Sequence, residues 1–286
     1  MNGFQKVLLA AALATASAQA SALAVTTTAS GSDLVDTIIG TGVTIDYGSI
    51  NYVGSNTQAG IFTGGLSAGI GIDKGILLTS GAATNAIGPN SADDTTTDLG
   101  SAGDADLNGL VGGSTQDANV LEFEFSTTGG DLFFNYVFAS EEYNEYVDSE
   151  FNDVFAFLVD GINIATIGSD PVAINTVNCG NPLSTTGSNC DQFNDNDPSD
   201  GTPSYDLAYD GFTNVFTASI LGLSAGTHSM KLAIADRGDG RLDSGVFIQA
   251  NSFSDIPTPP TEVPEPSTFA LMGLALAGLT LRRRTK

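Results

Sequence analysis

An all-β fold, a β-sandwich or jelly-roll-like domain, is what the sequence predicts, on three observations. Short apolar runs alternate with clusters of Gly, Asn, Asp and Ser, and the clearest run, Val120-Leu121-Glu122-Phe123-Glu124-Phe125, puts its apolar side chains on one face and its glutamates on the other. Residues 132–167 hold the densest aromatic content. Strand patterns there flank an acidic segment at residues 141–153, and Asp160-Gly161 supplies the positive φ angles of a tight hairpin. No amphipathic helix of useful length interrupts the pattern, so strands must supply the core.

In chain order, residues 1–24 open with Lys6, continue through an apolar run at 7–14, and end in small residues that include Ala18, Ala20, Ala22 and Ala24. That is a secretory signal peptide, with cleavage after Ala20 or Ala24. Residues 25–255 then form the domain, with strands expected at 43–47, 75–79, 120–125, 215–220, 228–235 and 245–253. Cys179 and Cys190 bracket a short polar loop, and in an exported protein they are expected to form a disulfide. Such a closure stabilises by roughly 3 kcal/mol on the chain-entropy model.

Charge excludes one class of partner. Formal net charge is -24, and Lys6, Arg282, Arg283, Arg284 and Lys286 lie near the ends, leaving Lys74, Lys231, Arg237 and Arg241 against 33 acids. A surface so acidic repels phosphate backbones, so no nucleic-acid partner is expected. It suits an exported, solvated domain or one that takes up cations.

Calcium is the one cofactor the acids suggest. The first set is Glu141, Glu142, Asp148 and Asp153 around the central loop, with Asp236, Asp239 and Asp243 in the Gly-rich loop between the last two strands; seven carboxylates crowded at one end would favour a divalent cation. The alternative gives Asp236 and Asp243 turn hydrogen bonds, and pairs Glu141 and Glu142 with Arg237 and Arg241 or with water. A second set, Asp104, Asp106 and Asn108 followed by Gly109, has the spacing of a calcium loop but carries Thr115 at the twelfth position. A third acidic loop spans residues 191–210. His228, the single histidine, is expected as a polar residue of an edge strand and not as a triad member.

The C-terminus has three ordered parts: a Pro-rich linker at 256–263, then Pro264-Glu265-Pro266, then the apolar run 269–281 ahead of Arg282, Arg283 and Arg284. The run is short for a stable span, which needs about 20 residues, and the arginines place the domain outside the cytoplasm. This order resembles the PEP-CTERM sorting signal of Gram-negative bacteria, over residues 264–286. The resemblance implies a substrate of the Sec export machinery and then of an exosortase, which cuts near Pro264, Glu265 and Pro266. The apolar helix would anchor the chain transiently in the inner membrane.

The domain has a resemblance of its own. Gly75-Ile76-Leu77-Leu78-Thr79-Ser80-Gly81, Phe138-Ala139-Ser140-Glu141-Glu142-Tyr143, Asn152-Asp153-Val154-Phe155-Ala156-Phe157 and Lys231-Leu232-Ala233-Ile234-Ala235-Asp236 are similar, in order, to motifs of the choice-of-anchor L domain. That resemblance implies a secreted bacterial domain and no particular catalysis. The expectation is a non-enzymatic cell-surface or extracellular-matrix protein, with exopolysaccharide as a further partner. Two other readings stand beside it: a calcium-dependent glycan-binding module in which the tyrosines replace the absent tryptophan, and a glycosidase using paired carboxylates such as Glu141 and Asp148.

Overall fold

The computed structural model describes residues 22–201 and 203–259. The signal-peptide run, the Pro-Glu-Pro motif, the apolar run and the terminal arginines therefore lie outside the described residues, apart from the last few residues of the signal region.

Two antiparallel sheets face each other. Strands in chain order are β1 (Ala24–Thr27), β2 (Val43–Val53), β3 (Ala59–Thr63), β4 (Lys74–Thr79), β5 (Thr115–Thr127), β6 (Gly130–Ser140), β7 (Val154–Val159) and β8 (Ile162–Asn163). Then come β9 (Thr166–Ile167), β10 (Asp170–Pro171), β11 (Phe193–Asp195), β12 (Gly211–Thr213), β13 (Phe216–Leu223), β14 (Gly226–Arg237) and β15 (Ser244–Gln249). The first sheet runs β1-β3-β4-β15-β6-β12-β11, with β13 paired to β6; the second runs β2-β5-β14-β7-β8, and β9 with β10 makes a small ribbon.

Alternation along β6 explains the layering. Phe134, Tyr136 and Phe138 point between the sheets, where they join Phe123 and Phe125 of β5 and Phe155 and Phe157 of β7. Phe253 stacks on Phe134 with ring centroids 4.3 Å apart. Val137 and Ala139, the intervening residues, face the other way into a second cluster with Phe247, Tyr209 and Phe212, covered by Ala68, Ile70, Ala83 and Ala86. The second sheet is covered on its outer face by a short helix: Leu107 packs on Val120, Ala156 and Ala233.

Several sequence expectations change form. β6 and β7, which flank the acidic segment, do not pair; they lie in different sheets, and so do β5 and β6, joined through Gly129 and Gly130 at φ +93° and +124°. The Asp160-Gly161 turn forms as expected, with φ 49° and 79°, but the strand after it is two residues long. His228 does not sit on an edge: β14 lies between β5 and β7, and the imidazole is buried, bonded to Asp160 at 2.7 Å and to the Ser224 carbonyl at 2.9 Å. Among the described residues three α-helices appear, α1 (Gly31–Ile38), α2 (Gly65–Ala68) and α3 (Ala105–Val111). Cys179 and Cys190 are bonded as a disulfide. The first residues of the linker are held against the body, with Asn135 donating to the Thr258 carbonyl at 2.6 Å and Gln249 to that of Pro259 at 3.3 Å.

Candidate functional site

Strand register builds the site. Ser140, the last residue of β6, is paired with Gly211 of β12 on one side and Ser244 of β15 on the other. One residue further along each strand stand Asp210, Glu141 and Asp243, so three carboxylates lie abreast at the end of the first sheet; the Glu141 amide donates to the Asp243 carbonyl at 3.1 Å, continuing the ladder. In the second sheet Ala235 pairs with Val154, which brings Asp236 and Asp153 together one step beyond. Like charges opposite one another on neighbouring strands repel. Here all five are 0–1% exposed.

The two rows differ in direction as well as in place. Glu141, Asp210 and Asp243 share the outward parity of Val137, Ala139 and Phe212, and lie under the irregular segment at residues 85–104. Asp153 has the inward parity of Phe155 and accepts from the Ser244 hydroxyl at 2.7 Å, a bond that ties one sheet to the other; its second oxygen accepts from the Arg237 amide at 2.8 Å. Asp243 accepts from the Thr97 amide at 3.0 Å and from the Asn85 side chain at 3.3 Å. Asp117, at φ 51°, fastens the same segment by accepting from the amides of Leu99, Gly100 and Ser101.

Three of these groups lack such partners. Both carboxylate oxygens of Glu141, both of Asp236 and one of Asp210 are buried without a hydrogen bond; the other Asp210 oxygen accepts from Asn90 at 2.6 Å. Burial is the main cause that raises the Glu141 carboxyl, and Asp210 and Asp243 add to it; Asp210 itself is raised by burial, as is Asp236, with Asp153 beside it. Glu142 is pushed up by burial and then by Asp153. Among the described residues no arginine answers these charges. The Arg237 guanidinium donates to the main-chain carbonyls of Glu150 and Gly112, and the ion pairs among the described residues are His228 with Asp160 and Lys231 with Asp104 and Asp106.

Of the residues singled out in the sequence, Glu141, Glu142, Asp153, Asp236 and Asp243 gather here. Asp239 stands at the rim and accepts from the Arg241 amide at 3.3 Å. Asp148 does not join: it is exposed at φ 61° in the turn that follows β6, with its amide bonded to Asn175. Asp210 and Asp117 belong to the group and were not singled out with it. Their place depends on pairing with strands far away in the chain, which local sequence does not display.

The calcium-loop pattern at 104–109 folds differently. Asp104 is the N-cap of α3, accepting from the amides of Asp106 and Leu107, and the Lys231 ammonium takes one oxygen of Asp104 at 2.6 Å and one of Asp106 at 2.7 Å. Asn108 turns to the amide of Thr115 at 2.6 Å. In the third loop, the Asn144 side chain donates to Asp195 at 2.7 Å and to Asp200 at 3.0 Å.

A cavity of ≈ 500 Å³ is lined by Val53, Gln58, Ala118, Val120, Asp104 and Glu122. Of the tyrosines considered as stacking platforms, Tyr136, Tyr143 and Tyr209 are fully buried, whereas Tyr47 and Tyr146 are exposed.

Residues 22–254 match the family model of the choice-of-anchor L domain, and residues 262–284 match that of the PEP-CTERM protein-sorting motif. Comparisons with curated proteins and with solved structures found no match.

Proposed function

From the premise that the chain belongs to the choice-of-anchor L domain family, matched over residues 22–254, we propose that this domain is a non-enzymatic scaffold of the cell surface or extracellular matrix. Sorting is the part of the reading that a separate finding supports: the PEP-CTERM motif at 262–284 makes the chain a surface protein recognised by an exosortase. The observation that carries the scaffold reading is how the motif residues are used. Ser80 accepts from the Ser244 amide at 2.9 Å, Ser244 donates to Asp153, Asp153 holds the Arg237 amide, and Asp243 fastens the covering segment. These bonds hold two sheets and a loop together. A glycosidase instead needs its two carboxyl groups on either side of an open cleft, whereas Glu141 is buried and Asp148 stands apart from it in an exposed turn.

Processing follows from both ends. Leu23 is 3% exposed in the cluster with Phe62 and Phe247, and Ala24 pairs with Thr63 in β1. Cleavage after Ala20 keeps these contacts; cleavage after Ala24 removes a core side chain worth about 2 kcal/mol of burial. The mature chain therefore begins at Ser21. At the other end, Phe269 to Leu281 holds the chain in the inner membrane until the exosortase acts at Pro264-Glu265-Pro266, and the released domain stays in the exopolysaccharide layer.

The test is fractionation of cells that carry an epitope-labelled chain, with N-terminal sequencing of the exported product. Expected are a label at the surface, a start at Ser21, retention in the membrane fraction for Glu265→Ala, and release into the medium when exopolysaccharide is absent. Recovery of the wild-type label only from cytoplasm or periplasm would sink the reading.

A further inference from the structure

We propose that a divalent cation, calcium by the all-oxygen character of the site, binds at the end of the first sheet between Glu141 and Asp210. The row of three carboxylates does not carry this by itself, because acidic strand ends are usually solvated. What carries it is that Glu141, 1% exposed, makes no well-formed hydrogen bond through either oxygen, the Thr95 amide being its one nearby donor, and that the neighbouring Asp210, 0% exposed, makes none through its second oxygen. A buried carboxylate without a well-formed hydrogen bond costs several times what an ordinary hydrogen bond contributes, so something must neutralise it.

Among the described residues no positive side chain pairs with Glu141 or Asp210. Arg237 donates to carbonyls, Lys231 is bound by Asp104 and Asp106, and Asn90, the neutral neighbour, already gives its amide to the other Asp210 oxygen. The covering segment adds two exposed acids: Asp94 acts on Glu141 and Asp93 on Asp210, which makes a negative rim above the buried pair. Such a rim draws a cation inward.

The coordination is of a particular kind. Among the described residues no three side chains of His, Cys, Asp or Glu converge to hold a metal. The charged ligands are then two carboxylates, with water completing the six to eight flexible oxygen ligands that calcium accepts. Asp236 is separate. It lies between the sheets beside Asp153 and takes no part in this pair.

The experiment uses the exported protein, stripped with chelator, with calcium alone as probe. Thermal unfolding and titration calorimetry are recorded for the wild type, Glu141→Gln, Asp210→Asn and Asp236→Asn, with circular dichroism to confirm that each is folded. Expected is a rise in Tm of roughly 5–10 °C at a calcium concentration about 100 times Kd. That rise disappears in Glu141→Gln and Asp210→Asn and persists in Asp236→Asn. If Glu141→Gln does not fold, Asp210→Asn decides. Absence of any shift in the wild type up to about 10 mM, above the range of weak extracellular calcium modules, overturns the proposal. So does a shift that survives both Glu141→Gln and Asp210→Asn.

Discussion

Two acidic clusters of this molecule use the same residue types and end in opposite states. At α3, Asp104 and Asp106 share the ammonium of Lys231, and Asp104 also caps the helix, so each carboxylate has a partner and Asp106 remains half in water. At the strand ends, Glu141 and Asp236 have no cation and no well-formed hydrogen bond, with only the Thr95 amide and the Ser80 hydroxyl nearby, and are sealed from solvent. The first cluster is the one with calcium-loop spacing; the second has no spacing rule at all. Spacing in sequence thus matters less than where the register of the sheet delivers a side chain, and whether any opposite charge is delivered with it.

The largest expected difference between the clusters is their response to pH in chelator. Glu141, Glu142, Asp210 and Asp236 are all raised in the folded protein, by burial first. Between about pH 4, where free carboxyls titrate, and the raised value of about 10 for Glu141, the native state holds protons that the unfolded chain has released. Their contribution to stability is therefore full below about pH 4 and is lost as pH rises through that window. Urea unfolding without calcium should show a lower midpoint at pH 8 than at pH 5, and Glu141→Gln should lose part of that slope. Equal midpoints would mean that these groups are as well solvated as Asp106, and the contrast would collapse.

Next in size is Gly81→Ala. A Cβ there would lie 1.8 Å from a carboxylate oxygen of Asp243, which is itself fixed by Thr97 and Asn85. Displacing it should cost about 3 kcal/mol or more, since overpacking and a lost buried hydrogen bond act together. A cost under about 1 kcal/mol, measured by urea unfolding, would show that the covering segment yields easily. At the other cluster, Asp104→Ala removes the cap and one ion-pair oxygen, with an expected loss of about 1–2 kcal/mol that calcium does not change.

How much of this could be seen in the sequence follows the same division. The strands with clean alternation were visible, as β5 was from Leu121, Phe123 and Phe125, because period two is a local property. β1 and β3 were not, since Ala24–Thr27 and Ala59–Thr63 are too short and too poor in large apolar residues to show it. α1 carried a signal that its length obscured: Ser30 accepts from the Asp33 amide as N-cap, and Leu34, Val35 and Ile38 share a buried face. Of the carboxylates, Glu141, Glu142, Asp153, Asp236 and Asp243 were legible through family motifs. Asp210 and Asp117 were not, because only pairing across the sheets brings them there. Asp148 shows that proximity in sequence to Glu141 is not proximity in space: at φ 61° it sits exposed in the turn after β6.

The smallest expected effect is the one that isolates the comparison. Lys231→Met keeps the apolar stem that crosses the outer face of β14 and removes only the charge. Asp106 is exposed and can return to water, so its lost pair is worth little. Asp104, with a side chain 14% exposed, loses more, yet it retains its bonds to the Asp106 and Leu107 amides. The sum should be about 0.5–1 kcal/mol in urea unfolding at low salt, and smaller at high salt because partly exposed pairs are screened. A loss of several kcal/mol would place Lys231 among the groups that hold the domain together. It would also mean that an ammonium at this cluster has the role proposed for the cation at Glu141 and Asp210, so that the two acidic clusters differ in the source of their positive charge and not in their need for one.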